Sequence, residues 1–506
     1  MTDAAGAHDD EGGPPTLIGA RVIVRRARPS DAADRLAAGY SLELTRAYGG
    51  DPRERRTLTP SGAAGWQQSL AKEPFAWAIE HGGRCIGSVR LHSFEWSSRA
   101  ARLAIGLFAP DTWGRGLGSE AIRLVLRCAF EGYGLHRVGL RVLDSNPRAI
   151  RAYEKCGFVH EGHERETVFM DGVWHGDVIM GCLDRDFWAL HGADSLDDPT
   201  DLQRLFESPI LEQRRAVPEA WDGSSHLRFV RTSEGEACVR WSGVYGWKGW
   251  SGELPGPAQW GANRLFGVDT RRVFDLAPAH ALLRRLGGVP VPRLVSLAML
   301  NQWQCAVVEW MPGAMLTSYA DLSDEGLREL GVGIARQHGH RERWCGNLRG
   351  THRTPLNAFH DEAVATARAL VPRYFGEDTV AQRELEPMCA ALASLPDPAD
   401  ASPLVMDHGA DQYLAENGRV TALVDLEMLV LAPRALDLVA LELEMDERAA
   451  RAFRAGYVSV APLPDLAAVR RPYRFLMALL MHHGERTLDH WLDYPAHFDA
   501  EAAEAD

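Results

Sequence analysis

The sequence predicts a two-domain chain of mixed α+β and α/β class. The first domain is expected to hold a central mixed twisted sheet with flanking helices. The second is expected to open with strands and to be mostly helical thereafter. Three observations carry this. The chain has 506 residues, too many for one ordinary core. From about Thr16 to Phe187, strand-like and helix-like patterns alternate. Between about Ala189 and Asp222 that pattern weakens, in "HGADSLDDPTDLQ" and then "WDGSS", and a helical remainder begins near Leu327. The expected division is a disordered leader over 1–14, a first domain over 15–188, a linker over 189–221, a second domain over 222–495 and an acidic tail over 496–506.

Each element has a local reason. "RCIGSVRLHSF" and "RAARLAIGLF" alternate or run apolar, as strands do. "SEAIRLVLRCAFEGYG" repeats apolar residues at helical spacing and stops at Gly132 and Gly134. "HRVGLRVL" reads as a strand again. "PRAIRAYEKCGF" starts with Pro147, favoured at a first helical position, and stops at Gly157. Asp171-Gly172 lies between two strand-like runs, a hairpin signal. A short helix fits inside the linker. The second domain starts at His226 with two strands around Glu234-Gly235.

Composition narrows the function classes. Hydrophobic residues make up 46% and charged residues 25%, a globular balance. The net charge of −14 argues against a nucleic-acid partner, which needs a basic face. That charge is compatible with cationic small substrates. No apolar run of about 20 residues exists, so no membrane span is expected. The start, "MTDAAGAHDDEGG", lacks a basic n-region and an apolar stretch. Eight cysteines without a CxxC pair read as reduced thiols of a cytoplasmic protein. Lysine occurs only at Lys72, Lys155 and Lys248, so arginine carries the basic chemistry.

One stretch points to an anion. In "TWGRGLGSEAIRLVLR", glycines alternate directly before a helix. Backbone amides from Gly114 to Ser119 would be exposed at a helix N-terminus, where the dipole favours negative charge and glycines allow close approach. A pyrophosphate fits such a cradle. About 30 residues later comes "LRVLDSNPRAIRAYEKCGF". Together, Leu103 to Phe158 resembles the acetyl-coenzyme A core of the GNAT superfamily of N-acetyltransferases, and most closely the branch of the ribosomal-protein-alanine acetyltransferases and related small-molecule enzymes. Trp113 stands where many relatives carry Gln or Arg.

The resemblance implies direct attack of an amine on the thioester carbonyl. Splayed strands Leu103–Phe108 and Val138–Leu143 would admit the pantetheine arm. A backbone amide near Ile105 or Leu107 would polarise the carbonyl. Trp113, Gly114, Arg115, Gly116, Leu117, Gly118 and Ser119 would hold the pyrophosphate, and Asn146 the cofactor arm. Tyr153 would protonate the leaving thiolate. Many relatives place a glutamate as general base on the strand before the loop, where this chain has Leu103 and Ala104. Glu95 and His92 on the preceding strand are the candidates, with a water as relay. Glu43, Tyr48 and Asp51 in "ELTRAYGGD" are candidates for attracting a cationic acceptor.

A second segment, "VMDHGADQYLAENGRVTALVDLEMLVLAPRALDLVALE", carries Asp407, Asp425 and Asp437 around a hairpin at Asn417-Gly418. Phosphoryl transfer needs a carboxylate near the attacking hydroxyl and metal ligands near the nucleotide phosphates. The spacing resembles the aminoglycoside phosphotransferase and choline kinase-like family, which implies a bilobal protein-kinase-like fold. On that resemblance Asp407 is the catalytic aspartate, Gln412 and Asp425 are the metal ligands, and Asp437 is a buried brace. "CAVVEWMPGAML" resembles the strand between the lobes, and "LLRRLGGVPVPRLV" the helix and loop before it. The chain departs from the family at Gln412, usually Asn, and at Val405, usually His. Arg240 stands in place of the usual nucleotide-binding lysine. The turn Pro278-Ala279-His280 brings no helix glutamate, and no glycine-rich phosphate loop appears.

The expected cofactors are therefore acetyl-coenzyme A, and ATP or GTP with Mg²⁺ in the second domain. The leading expectation is an N-acetyltransferase of a small-molecule amine, fused to a domain that phosphorylates a hydroxyl-bearing small molecule. Such a fusion resembles the bifunctional aminoglycoside-modifying enzymes. Two alternatives are an inactive second domain that binds substrate or regulates, and acetylation of a protein N-terminus with the second domain as docking surface.

Overall fold

A computed structural model of the chain describes residues 14–50, 57–191, 201–216, 225–242, 256–301, 303–481 and 487–499. Asp51 and all of the expected leader but Pro14 lie outside the described residues, and of the expected tail 496–499 are described. The chain divides into two compact units. One holds Met1–Trp250, Arg272–Phe274 and Val295–Val307; the other holds Ser251–Arg271, Asp275–Leu294 and Val308–Asp506.

The first unit begins with strands β1 (Thr16–Ile18) and β2 (Ile23–Arg25) and helices α1 (Asp31–Ala38), α2 (Leu42–Ala47) and α3 (Pro60–Lys72). Strands β3 (Ala76–His81), β4 (Arg84–Glu95) and β5 (Ala100–Leu107) follow. Helix α4 (Leu117–Arg127) continues into a π-helical turn at Cys128–Gly132. Then come β6 (Arg137–Leu143), α5 (Pro147–Glu154), β7 (Val159–Met170), β8 (Val173–Leu183) and α6 (Asp184–His191). Helix α4 forms where the sequence pattern places it, with Leu117, Ala121, Ile122, Val125 and Leu126 buried on one face. Asp171 and Gly172 both take positive φ between β7 and β8, as a two-residue hairpin turn demands.

The expected linker contains a 3-10 turn at Leu202–Leu205 and a strand, β9 (Ile210–Arg215). Strands β10 (Ser225–Thr232) and β11 (Gly235–Ser242), expected to open the second domain, run in the first unit's sheet with β12 (Leu294–Leu300) and β13 (Trp303–Glu309). The order is β7-β8-β6-β5-β4-β3-β2-β1-β12-β13-β11-β10-β9. The join is the parallel pair of β1 and β12, with Thr16 opposite Ala298 and Ile18 opposite Leu300. A three-residue edge strand is a poor end for a sheet, and this pairing supplies its missing hydrogen bonds.

The second unit is mostly helical, as expected. Its helices are α7 (Gly256–Phe266), α8 (Leu276–Leu286), α9 (Asp324–Gln337), α10 (Phe359–Tyr374), α11 (Thr379–Ser394), α12 (Arg434–Leu443), α13 (Glu447–Val458), α14 (Arg470–Met481) and α15 (Leu488–Asp493). Two small sheets are set among them. One orders β14 (Ala314–Met315), β18 (Tyr413–Glu416) and β19 (Arg419–Leu423). The other joins β15 (Trp344–Asn347), β16 (Arg353–Pro355), β17 (Ser402–Val405) and β20 (Leu429–Ala432). Asn417 and Gly418 turn the β18–β19 hairpin with positive φ. No described helix is long and apolar enough to cross a membrane.

Candidate functional site

In the first unit the parallel strands β5 and β6 pair only from Ala100–Arg137 to Arg102–Gly139. Beyond that they part, which is the splay expected around Leu103–Phe108. The Phe108 amide donates to Ile86 of the β4 side at 2.9 Å. Alternation along the strand therefore turns the backbone groups of Ile105 and Leu107 away from β4 and toward the opening. Both carbonyls are met there by side chains. The Tyr48 hydroxyl donates to the Ile105 carbonyl at 2.8 Å, and Trp113 Nε1 donates to the Leu107 carbonyl at 2.9 Å.

The glycine loop ends at the open mouth of these strands. Gly114 and Gly116 have φ of 73° and 78°, and Gly116 is the N-cap of α4. A Cβ at Gly114 would meet nothing within 4 Å, so its glycine answers to backbone conformation and leaves open space above it. Helix α4 then presents the amides of Leu117, Gly118 and Ser119 at its start. The loop is braced from below. Arg21 Nε lies 2.9 Å from Glu120 Oε2, and Arg21 Nη1 donates to the Arg115 carbonyl at 2.9 Å. Open space at Gly114, the Arg21 guanidinium beside Gly116 and the free amides at the start of α4 are a setting that a pyrophosphate would fit.

Two helices face the opening from opposite sides. Gly118 of α4 packs on the Leu107 side chain, which fixes one face. On the other, a Cβ at Gly106 would collide with the Tyr48 hydroxyl at the end of α2. The next residue, Gly49, lies against Val168 and Leu143. The Tyr48-Gly49 turn thus straddles the gap from β5 to β6. Tyr153 of α5 is buried, its ring 5.7 Å from that of Phe158. Burial first, then the neighbouring Tyr48 and Cys156, pushes its phenol well above the ordinary range, so it keeps its proton at neutral pH. Asn146 caps α5, its side chain accepting from the Ala149 amide at 3.1 Å.

The two candidate bases are placed differently. Glu95 is exposed at the far end of β4, opposite Ala100, and accepts from Ser97 Oγ at 2.9 Å. That is the end where β5 and β6 still pair, about 17 Å of strand from Ile105 at roughly 3.3 Å per residue. Glu95 is therefore not brought to the opening. The bulge between His92 and Glu95 and the Trp96–Arg99 turn carry it away. His92 sits opposite Arg102, the last paired rung, on the face that Gly106 and Tyr48 share. Burial, then the cations Arg90 and Arg102, lowers its pKa, so the imidazole is neutral at neutral pH.

Arg148, in the first turn of α5, joins the site without any signal in the sequence. Its guanidinium stacks 4.0 Å from the Trp113 ring centroid and lies 3.1 Å from Glu43. The three residues come from separate segments, so no local pattern links them. Gly106 inside an apolar strand is a usable signal, since glycine there marks a close approach.

In the second unit three residues expected at a phosphotransfer site, Asp407, Gln412 and Asp425, come together. Gln412 Nε2 donates to Asp407 Oδ2 at 3.2 Å, and the Val424 amide donates to the Gln412 carbonyl at 3.0 Å. Asp425 follows directly, so Asp407, Gln412 and Asp425 share one site. Burial, opposed by the Gly409 amide and reinforced by the Asp425 charge, raises the Asp407 pKa. Oxygen donors of this kind suit Mg²⁺. Asp437 is buried behind them. His408 Nε2 lies 2.7 Å from its Oδ1 and His338 Nε2 3.0 Å from its Oδ2. Burial works against its charge, but the two histidines outweigh it and bring the carboxyl down to about 2. Arg240 of the first unit is buried, with Nε donating to Ser225 Oγ at 3.1 Å. His280 on α8 shares a 2.8 Å hydrogen bond with the Pro292 carbonyl.

Known proteins resemble the chain in two separate stretches. A family model described as an acetyltransferase (GNAT) domain matches residues 21–159, and one described as the phosphotransferase enzyme family matches residues 270–472. A spermidine N(1)-acetyltransferase of Vibrio cholerae is 38% identical over 87 residues, 17% of this chain and 50% of that protein. The chain thus spans half the length of that relative. An uncharacterized N-acetyltransferase of Bacillus subtilis is 29% identical over 165 residues, 31% of this chain and 91% of the relative. A crystal structure of the Vibrio cholerae spermidine N-acetyltransferase in complex with CoA and spermine is 23% identical, with a TM-score of 0.29, covering 33% of this chain and 99% of that one.

Proposed function

The chain carries a GNAT acetyltransferase domain and a phosphotransferase-family domain, and from that premise we propose that it acetylates an amine of a small cationic molecule with acetyl-coenzyme A. The single observation that carries this reading is the splay of β5 and β6, with the glycine cradle at its mouth. The cofactor supplies the activated acetyl group as a thioester. The chain's own part is positional. The amides of Leu117, Gly118 and Ser119 hold the pyrophosphate, and those of Ile105 and Leu107 face the carbonyl. Tyr153 holds the proton that a leaving thiolate needs. His92 is better placed than Glu95 to draw a proton from the acceptor through water. The relatives named for spermidine support a cationic acceptor.

For the second domain the reading is nucleotide capture with weak or no phosphotransfer. The Gln412–Asp407 hydrogen bond favours it, because the carboxylate meant to accept a hydroxyl proton is already engaged.

Calorimetric titration with acetyl-coenzyme A tests the first part. Gly116→Asp places a side chain at φ 78° and a like charge against the pyrophosphate. We expect at least a tenfold loss of affinity; unchanged affinity would remove the loop from the site.

A further inference from the structure

The strands beyond the opening carry a ladder of charges on the face that α2 covers. Leu143 fixes that face, because it touches Gly49. Residues paired across strands project to the same side. On β6 and β8 these are Arg137 with Leu183, Gly139 with Gly181, Arg141 with Ile179, and Leu143 with Asp177. His175 pairs with Val168, which also touches Gly49, and so shares the face. The opposite face of β8, with Val178, Met180 and Cys182, is buried core.

The acids of these strands are answered in turn. Arg137 pairs with Glu161, and Arg141 lies 2.8 Å from Glu164. Nearer α2, Arg46 lies 2.9 Å from Asp171 and Arg148 lies 3.1 Å from Glu43. Asp144 is met by His163 at 3.2 Å and by His175 at 3.5 Å. Two acids are not: Glu166 on β7, which is exposed, and Asp177, which is half-buried and opposite both Leu143 and Glu164; neither carboxylate has an ion pair or hydrogen bond among the described residues. A half-buried carboxylate that no side chain meets is open to a cation from outside.

Its location says what that is. Leu143 ends β6 where the strand has parted from β5. The Tyr48-Gly49 turn bridges from the Ile105 carbonyl to Leu143 on this same face. Asp177 is therefore the anion at the β6 edge of the opening, on the side away from α4. We propose that Asp177 receives the ammonium group of the acetyl acceptor, and so selects cationic aliphatic amines over neutral ones. The arginines on the neighbouring rungs, held by their own glutamates, leave this rung alone for an outside cation.

The inference rests on the acetyltransferase reading, and one experiment separates the two. Asp177→Asn keeps the shape and removes the charge. Steady-state acetylation is measured for the full chain with spermidine and with a neutral aromatic amine, beside calorimetry of acetyl-coenzyme A binding. The loss of a charge-assisted contact predicts a KM for spermidine raised about 10-fold or more. KM for the neutral amine, and acetyl-coenzyme A affinity, stay within about twofold. Asp177→Glu recovers part of the spermidine KM. An unchanged spermidine KM in Asp177→Asn, an equal loss for both amines, or a wild-type protein that acetylates no cationic amine overturns the assignment. A wild-type protein that does not bind acetyl-coenzyme A overturns the reading beneath it.

Discussion

The guanidinium of Arg148 lies 4.0 Å from the ring centroid of Trp113, so helix α5 is stacked on the glycine loop before α4. Trp113 is in turn tied to β5 through the Leu107 carbonyl. The indole therefore holds three segments in place around the mouth of the splay. A partly exposed cation–π contact is worth about 0.5–2 kcal/mol. Trp113→Ala should weaken acetyl-coenzyme A binding roughly 3- to 30-fold by calorimetry, since about 1.4 kcal/mol is tenfold. Arg148→Lys should fall between that variant and the wild type.

Tyr153→Phe removes a proton donor and little else, since the ring packs against Phe158 and is buried. Turnover should drop by about 10²–10⁴-fold, the usual contribution of a general acid, with acetyl-coenzyme A affinity nearly unchanged. Single-turnover acetylation kinetics are the check. Full activity with chemistry rate-limiting would reduce the tyrosine to a packing residue.

Glu131 sits in the π-helical turn, 5% exposed, with Arg127 at 3.5 Å. Burial raises its carboxyl from 4.5 to about 7, against the pull of Arg127. The folded state thus holds the proton more tightly than the unfolded chain does. Its contribution is full below about pH 4.5 and is lost as the pH climbs through about 7. Over that window the first unit should lose about 3 kcal/mol of stability, because holding a proton across each further pH unit costs about 1.36 kcal/mol. Glu131→Gln should flatten the loss and be the more stable protein at about pH 8, above the folded-state value. Urea unfolding across this pH range measures both.

On the proposed reading, in which Asp425 and Gln412 would hold the metal beside Asp407, Asp425→Ala should abolish Mg²⁺-dependent nucleotide binding. Gln412→Asn shortens the arm and releases the bond to Asp407. If that bond suppresses phosphotransfer, nucleotide hydrolysis should rise in Gln412→Asn. Binding that persists unchanged in Asp425→Ala would place the metal elsewhere.

What the sequence disclosed was local. The glycine turn that leads into α4, the helix opened by Pro147 and the turns at Asp171-Gly172 and Asn417-Gly418 each depend on neighbours within a few residues, and they formed where expected. The motif spacing also carried Asp407, Gln412 and Asp425 into one place. What stayed hidden joins distant segments. Arg21 braces Glu120, Arg148 meets Glu43, and Tyr48 reaches Ile105, with nothing in either partner's neighbourhood to announce it. The placement of Glu95 was hidden for a related reason. It lies on the expected strand, but at the end where β5 and β6 have not yet parted, and strand periodicity does not say where two strands diverge.

The parallel pairing of Thr16 with Ala298 also sets a schedule for synthesis. Strand β1 leaves the ribosome about 280 residues before β12, yet one of its two edges cannot be satisfied until β12 has been translated. During that interval the nascent acetyltransferase sheet offers a row of bare amides and carbonyls at β1. A fragment ending at His191 would keep that ragged margin permanently and would be prone to stick to its own copies. Separating the two matched segments by cutting the gene between them would therefore leave the first piece unfinished rather than freed.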